Sequence, residues 1–205
     1  PRGAKVGTSS LRRGAQLLAR RPDLQLASVR GNVGTRLGKL DAGDYDALVL
    51  AAAGLERLGL GERITEYFSI ADSLPAAGQG ALSVECAVDA DVELRSLLAG
   101  LNDADVACCV AAERSVSAAL GADCSMPLAA SAALNGDSID LQALVGAIDG
   151  TRLVRVERSG SVSSPAALGA AVAEALLAAG AGPLLAEAKL ESARATAATK
   201  PASAD

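Results

Sequence analysis

Short apolar runs alternate with segments of helical periodicity through the first sixty residues of the chain. Three apolar runs predict strands, at residues 5–9, 24–29 and 47–51. Apolar residues recurring every three or four positions predict helices at residues 11–21, 32–41 and 54–60. We expect the first helix to bury Leu11, Ala15, Leu18 and Ala19. Because each strand precedes a helix, the order predicts a parallel sheet with right-handed crossovers.

The pattern changes in the second half of the chain. Apolar and polar residues alternate over residues 81–88, which predicts a strand, but no helix connects that strand to the earlier three. Two turn pairs, Asn135-Gly136 and Asp149-Gly150, strongly favour hairpins. They separate three predicted antiparallel strands, at residues 128–134, 138–146 and 152–158. Helices are predicted at residues 91–101, 103–120, 165–179 and 184–193, before a disordered tail over residues 199–205.

These elements divide the chain into three parts. An α/β domain is expected over residues 1–77, a crossing segment or strand over 78–98, and an α+β domain over 99–205. The helix at 103–120 is expected to bury Val106, Cys109, Val110, Val116 and Leu120. No uninterrupted run of eighteen apolar residues is present, so no membrane span is predicted.

Charge is distributed unevenly along the chain. The first forty residues hold nine of the nineteen Lys and Arg but a single acid, Asp23, whereas the whole chain carries a net charge of −5. Such a basic segment in an acidic protein indicates an anionic partner, with a solvated basic face as the alternative. RNA is a poor candidate, since the chain has almost no aromatic residues for base stacking. The four cysteines show no C-x-x-C spacing and there is no histidine, which predicts no metal site and a reduced, cytoplasmic protein.

The candidate anion-binding residues lie where predicted strands end and helices begin. Thr8, Ser9 and Ser10 lie at the end of the first strand, beside a helix N-terminus whose free N–H groups attract anions. Ligands bind beyond the carboxyl ends of parallel strands, so four arginines can converge on one cleft: Arg12, Arg13, Arg30 and Arg36. Arg20 and Arg21 lie at a helix C-terminus and are interpreted as structural, complementing the helix dipole.

Six sequence motifs occur in the order and spacing of one protein family. They are VGTSSLRR at 6–13, VRGN at 29–32, TRL at 35–37, YDALVLAAAGLERLG at 45–59, PAAGQG at 75–80, and Glu113-Arg114 followed by Gly121, Cys124 and Pro127. Together they resemble porphobilinogen deaminase, also called hydroxymethylbilane synthase, from about residue 5 to residue 190. Each motif alone is a weak signal, but six motifs in the same order and spacing are specific for the family.

The resemblance implies a fold and a reaction. It implies two domains like periplasmic binding proteins with a cleft between them, and a third domain with a three-stranded antiparallel sheet and helices on one face. It implies a cytoplasmic, monomeric transferase of haem biosynthesis that joins four porphobilinogen molecules with loss of ammonia. The growing chain is primed on a dipyrromethane cofactor linked by a thioether to a loop cysteine, by position Cys124. No nucleic acid and no membrane are expected as partners.

The resemblance also implies roles for particular residues. Cofactor binding is implied for Cys124, Thr8, Ser10, Arg12, Arg13, Arg30 and Gly31. Substrate binding is implied for Arg30 and Arg36, and Gln79 matches a residue near the interdomain hinge. Guanidinium groups suit these ligands because every added pyrrole brings two carboxylates.

Two departures from the family qualify these expectations. The N-terminal part of the family, with its catalytic aspartate, has no match, so we expect no catalytic residue and no turnover from this chain alone. Asp123 replaces the small residue usual before the cofactor cysteine, which should raise the thiol pKa, repel a polyanion and restrict the backbone. A non-catalytic anion-binding module on a scaffold like the periplasmic binding proteins is therefore the alternative.

Overall fold

A parallel sheet forms the first part of the protein. The structure is a computed structural model that describes residues 1–123 and 125–199. The strand order is β2-β1-β3, with β1 at Lys5–Gly7, β2 at Gln25–Ala27 and β3 at Ala47–Leu48. The strands alternate with helices α1 (Leu11–Arg20), α2 (Val33–Asp41) and α3 (Ala52–Arg57). The predicted parallel sheet is confirmed, although each strand is shorter than its apolar run.

Side-chain caps fix the beginnings of the first two helices. The Ser10 side chain accepts a hydrogen bond from the backbone N–H of Arg13, at 3.4 Å. The Asn32 carboxamide oxygen accepts one from the N–H of Thr35, at 2.8 Å. Since β1 and β2 are parallel, both caps follow strand ends at the same edge of the sheet.

The buried face of α1 differs from the predicted apolar stripe. Ala15 is fully buried, but Ala19 is exposed and Leu11 and Leu18 are only half-buried. The buried side chains beside Ala15 are instead Arg12 and Gln16, which are 7% and 3% exposed. Burial of these polar groups is tolerated because they are hydrogen-bonded.

Arg20 and Arg21, at the end of α1, both form ion pairs. Arg20 pairs with Asp72, and Arg21 pairs with Asp23 through Nε and Oδ1 at 2.7 Å. Both pairs are exposed, so their contribution to stability is small.

The segment that follows α3 is largely irregular. It contains a short 3₁₀ helix at Gly61–Arg63 and then helix α4 at Val92–Ala99. The strand predicted at residues 81–88 is wrong for the structure described here, since that stretch pairs with no described strand. Its apolar side chains are exposed, with Leu82 at 79% and Val88 at 96%. Alternation alone predicted a strand, but a strand also needs a neighbour for its backbone hydrogen bonds.

An antiparallel meander forms the second sheet, as predicted. Its strand order is β4-β5-β6, with β4 at Leu128–Asn135, β5 at Ser138–Gly146 and β6 at Leu153–Ser161. Three helices accompany it: α5 (Ala104–Ala119), α6 (Pro165–Ala178) and α7 (Ala181–Thr199). Helix α7 extends beyond its predicted end, and the rest of the predicted tail, residues 200–205, lies outside the described residues. Within the described part, no single helix is long and apolar enough to cross a membrane; α6 and α7 meet that test only as a pair bent by 90°, on length and composition alone.

The main core lies between the meander and its helices. Alternate residues of β5 face it, and Ile139, Leu141 and Val145 are fully buried. Val116 of α5 and Val172 of α6 pack in the same cluster. Each such side chain contributes about 1.5–3 kcal/mol by leaving water. Val106, predicted to be buried, is 46% exposed because it lies in the first turn of α5.

Helix α1 packs near the other face of the meander. A side chain at Gly146 of β5 would lie 2.7 Å from Cβ of Ala15, so glycine permits this close approach. Leu74 is fully buried with Ala129 and Leu144, which lie on the sheet face opposite the main core. These contacts hold the start of α1 near the loop that follows α5.

Candidate functional site

A cavity of about 580 Å³ separates the start of α1 from α5 and the loop after it, and we call it the α1–α5 cavity. Its lining residues are Ser10, Arg12, Ala76, Ala77, Arg114, Ser115, Ser117, Ala118, Ala122, Asp123, Met126 and Leu128. Asp123 and Met126 lie on either side of Cys124, which is outside the described residues. The fold therefore brings Ser10 and Arg12 to the same cavity as the residues that flank this cysteine, more than a hundred positions away.

Arg12 is buried at the edge of this cavity. Its guanidinium donates to the backbone carbonyl of Leu74 at 2.7 Å and to Oε1 of Gln79 at 2.8 Å. Burial, followed by repulsion from Arg13, lowers the pKa of Arg12 to about 10. Arg12 thus remains charged at neutral pH, in surroundings where its charge is poorly solvated.

Arg13 and Arg36 extend the positive charge from Arg12 towards solvent. The Arg13 guanidinium donates to the carbonyl of Val49 at 3.1 Å, and Nε of Arg36 donates to the carbonyl of Gly31 at 2.7 Å. Burial and then repulsion from Arg36 lower the pKa of Arg13. No carboxylate of the described residues forms an ion pair with Arg12, Arg13 or Arg36. We call these three side chains the arginine cluster.

Gln16 is a buried anchor that the sequence analysis missed. Its carboxamide oxygen accepts from the N–H of Leu74 at 2.7 Å, and its amide nitrogen donates to the carbonyl of Leu74 at 3.1 Å. The same nitrogen donates to the carbonyl of Arg12 at 3.2 Å. Gln16 thereby satisfies both the backbone N–H and the backbone carbonyl of Leu74, as a neighbouring strand would. Its spacing of four from Arg12, on one helical face, was the available signal.

Glu113 is a second buried polar residue whose contacts the sequence analysis did not find. Its carboxylate accepts from the N–H of Gly78 at 2.6 Å and from the N–H of Ala132 at 2.7 Å. Burial raises the pKa of Glu113, although both hydrogen bonds act in the opposite direction. Glu113 therefore ties the segment beside Gln79 to α5 and to the outer edge of β4.

The hydroxyl residues at the end of β1 border a second cavity. This cavity, the α1–α7 cavity, has a volume of about 650 Å³ and is lined by Thr8, Ser9, Ser10, Leu11, Gly14, Leu18, Leu26, Ala27, Ser28, Ile148, Asp149, Glu187 and Glu191. Thr8 is buried and its hydroxyl accepts from the N–H of Ser10 at 3.3 Å. Ser10 lines both cavities, whereas Thr8 lies on the side with the three acids.

Five other residues with predicted roles do not line either cavity. Arg13, Arg30, Gly31, Arg36 and Gln79 are not among the described residues that line either one. Arg30 is exposed and follows the fully buried Val29 at the end of the β2 segment. Gln79 accepts from the N–H of Ala76 at 3.1 Å as well as from Arg12. The structure thus brings Ser10, Arg12 and Gln79 together and leaves Arg30 at the surface.

Asp123 forms a compact turn across the position of Cys124. Its Oδ1 accepts from the N–H of Ser125 at 2.8 Å and from the Ser125 hydroxyl at 2.5 Å. These bonds lower the pKa of Asp123, so it stays ionised at neutral pH. No described non-glycine residue has positive φ, so Asp123 adopts an ordinary backbone conformation and the loss of a glycine causes no strain there.

Guanidinium groups without an ion-pair partner and hydroxyl groups at one cavity are features that an anion-binding site requires. Two family models match the chain: "Porphobilinogen deaminase, dipyromethane cofactor binding domain" at residues 1–95 and "Porphobilinogen deaminase, C-terminal domain" at residues 107–178. The chain belongs to the porphobilinogen deaminase family.

Curated relatives carry the same name. The chain is 56% identical to the porphobilinogen deaminases of Bordetella parapertussis and Bordetella bronchiseptica over 187 residues, covering 91% of this chain and 59% of each relative. It is 56% identical to that of Stenotrophomonas maltophilia over 185 residues, covering 90% of this chain and 61% of the relative. The chain therefore spans about three-fifths of the length of these relatives.

Proposed function

We propose that this chain is the carboxylate-binding and cofactor-carrying part of a porphobilinogen deaminase. Such an enzyme is a transferase that joins porphobilinogen units with loss of ammonia and serves tetrapyrrole and haem biosynthesis. The division into residues 1–77, 78–98 and 99–205 is part of this proposal. So are the likeness of the first part to periplasmic binding proteins, a monomeric state and a cytoplasmic location.

The arginine cluster is the observation that carries the proposal. Its guanidinium groups donate to carbonyl and carboxamide oxygens, which satisfy hydrogen bonds without cancelling charge. Burial, and secondarily repulsion from Arg13 at Arg12 and from Arg36 at Arg13, lowers the pKa values of Arg12 and Arg13. An anion would relieve that repulsion. Porphobilinogen has acetate and propionate groups and so supplies two carboxylates per ring.

The residues present fit a dipyrromethane group. The α1–α5 cavity has the size of cavities that hold drug-sized ligands, about 300–1,000 Å³. Cys124 would hold the dipyrromethane group covalently. The carboxylates of that group would be bound by Thr8, Ser10, Arg12, Arg13, Arg30 and Gly31. When bound, this cofactor supplies the pyrrole ring to which further units are joined.

The protein's own contribution is binding and orientation. Arginine forks can bind carboxylates bidentately, which fixes their direction as well as their charge. Arg12 is held in place by Leu74 and Gln79, so its charge is oriented before a ligand arrives. We propose that Arg30 and Arg36 bind substrate carboxylates and that Gln79 acts near a hinge. We assign no catalytic residue to this chain.

Mass spectrometry of the expressed chain tests the cofactor assignment. The mass should exceed the sequence mass by one dipyrromethane, and the chain should react with acidic p-dimethylaminobenzaldehyde, which detects pyrroles. Cys124→Ser should abolish both signals, whereas Cys86→Ser, at an exposed cysteine, should leave them unchanged. An unmodified chain, also when completed with the parts of the Bordetella bronchiseptica relative outside the match, would favour the non-catalytic anion-binding module.

A second experiment tests the role of the arginines in that completed protein. Arg30→Leu should lower turnover of porphobilinogen about tenfold to a hundredfold, because a substrate carboxylate would lose a charge-assisted hydrogen bond. Arg57→Leu, at an exposed arginine of α3, is the matched control and should have little effect. Arg12 is less suitable, since its buried hydrogen bonds also support the fold. Normal turnover in Arg30→Leu would refute the role of Arg30.

A further inference from the structure

Asp123 stands directly before the cysteine that the proposed function links to the cofactor. We propose that Asp123 is a positioning residue, whose side chain closes the turn that contains Cys124 and so holds that cysteine at the α1–α5 cavity. The inference rests on the proposed function and concerns how the cysteine is held, not which residues bind the ligand. It reverses the expectation that an aspartate at this position only hinders the cofactor.

The loop after α5 is fixed at its start by the end of that helix. The N–H of Gly121 donates to the carbonyl of Ala118 at 3.1 Å, and the N–H of Ala122 donates to the carbonyl of Ser117 at 3.0 Å. These two bonds form a Schellman motif, and Gly121 has the positive φ, +57°, that the motif requires. The backbone that leads into Asp123 is therefore set by α5.

The end of the loop is held by the second sheet and its core. Met126 is 5% exposed and belongs to the main core. The carbonyl of Pro127, whose side chain is fully buried, accepts from the N–H of Gly146 in β5 at 3.0 Å. Residues 123–125 therefore connect two fixed points of the fold.

The Asp123 side chain closes this short connection. The N–H of Met126 donates to the backbone carbonyl of Asp123 at 3.2 Å, which closes a four-residue turn. Oδ1 of Asp123 accepts from both the N–H and the hydroxyl of Ser125. Aspartate is favoured at the first position of such a turn because its carboxylate can accept from the N–H two residues further on. A glycine at this position would supply no acceptor.

The same pattern at Asp149 represents the purely structural explanation. Oδ1 of Asp149 accepts from the N–H of Thr151 at 3.0 Å and from its hydroxyl at 2.7 Å, in the turn between β5 and β6. That turn joins two strands of the meander. Asp123 instead lines the α1–α5 cavity with Arg12, and Met126 at the other end of its turn lines the same cavity. The turn that contains Cys124 thus begins and ends at the cavity wall.

The charge of Asp123 acts separately from its hydrogen bonds. Among the described residues that line the cavity, the other charged ones are Arg12 and Arg114. The hydrogen bonds from Ser125, and to a smaller extent the charge of Lys189 on α7, lower the pKa of Asp123, so its carboxylate is ionised at neutral pH. It therefore opposes an incoming anion. Asparagine keeps the acceptor and loses the charge, which makes the two effects separable.

Alkylation of Cys124 measures its position relative to the arginines. The full chain is produced in a host that makes no porphobilinogen, and its intact mass verifies that no cofactor is attached. The probes are iodoacetate, which carries a carboxylate, and neutral iodoacetamide, at low ionic strength. Peptide mass spectrometry gives both rates at Cys124 and at the exposed Cys86.

The ratio of the iodoacetate rate to the iodoacetamide rate at Cys124, divided by that ratio at Cys86, defines the anion preference. Both reagents react with the thiolate, so the thiolate fraction cancels from each ratio. Asp123→Asn keeps the turn without the charge and should raise the anion preference about threefold above the wild type. Asp123→Ala also opens the turn, and its anion preference should be about threefold below that of Asp123→Asn.

Asp149→Ala is the matched control, because it removes the same hydrogen-bond pattern from a hairpin and should leave the anion preference at the wild-type value. Equal anion preferences in Asp123→Asn and Asp123→Ala would overturn the positioning role. If both values then exceed one, Cys124 lies beside the arginines and the proposed function stands. If neither variant nor the wild type shows an anion preference, both proposals are wrong. A change in Asp149→Ala as large as that in Asp123→Ala would assign the effect to a general loosening of the fold and would also overturn the role of Asp123.

Discussion

Replacement of Gln16 gives a quantitative test of how α1 is attached to the rest of the protein. Gln16 is 3% exposed, and its carboxamide pairs with both the N–H and the carbonyl of Leu74. Leu74 is itself fully buried against Ala129 and Leu144. Loss of Gln16 would therefore leave a backbone N–H without a partner away from water.

The expected cost follows from these contacts. The carbonyl of Leu74 keeps its bond from Arg12, so the unsatisfied group is the N–H. A buried polar group without a partner costs about 1–3 kcal/mol. Gln16→Met retains most of the volume and should lower the free energy of unfolding by that amount. Gln16→Ala also leaves a cavity and should cost about 1–2 kcal/mol more.

Urea titration followed by far-UV circular dichroism measures both changes. Gln25→Ala is the control, since Gln25 is exposed on β2 and should change stability by less than about 0.5 kcal/mol. If Gln16→Met unfolds at the same urea concentration as the wild type, the Leu74 N–H does not depend on Gln16. The attachment of α1 would then have to come from apolar packing alone.

Two further predictions concern close packing and pH. Gly150 has φ of +73°, and a side chain there would lie 2.5 Å from Cβ of Leu18, so Gly150→Ala should destabilise the fold by about 3 kcal/mol or more in the same titration. Gly136→Ala, at φ of +59° in open space, should cost only about 1–2 kcal/mol, and equal costs would contradict the close approach. Burial raises the pKa of Glu113, so the folded protein binds this proton more tightly than the unfolded chain. The stability of the wild type relative to Glu113→Gln should therefore fall as pH rises above the unfolded pKa of about 4.5, and a rise measured by urea titration across pH would contradict the direction.

Periodicity and turn chemistry predicted most of the fold. The parallel order of the first three strands followed from their alternation with helices. The meander followed from Asn135-Gly136 and Asp149-Gly150, because those pairs adopt the turns that hairpins need. Local signals succeed here because the alternation of strands with helices and the turn pairs are properties of short stretches of sequence.

The failures have a different physical origin. Alternation at residues 81–88 predicted a strand, but pairing depends on a partner that local sequence does not reveal. The prediction of the buried face of α1 was wrong because Arg12 and Gln16 are buried by contact with Leu74, some sixty residues away. Ser10 and Arg12, which the sequence predicts to bind an anion, both line a cavity, but the sequence could not distinguish Arg12, which is buried, from Arg30, which is exposed.

The hydrogen-bond acceptors of the arginine cluster differ from those of three other arginines. Arg20, Arg21 and Arg63 each pair with an aspartate, so their charges are neutralised within the fold.

In the arginine cluster, by contrast, every hydrogen bond runs to a neutral oxygen. A neutral acceptor fixes the direction of a guanidinium but leaves its full charge. Burial excludes solvent and so strengthens the interaction of that charge with an anion. Such an arrangement costs stability in the absence of a ligand, as the lowered pKa values of Arg12 and Arg13 indicate. An arrangement that is unfavourable alone and relieved by an anion is the physical signature of a binding site rather than of a solvated basic surface.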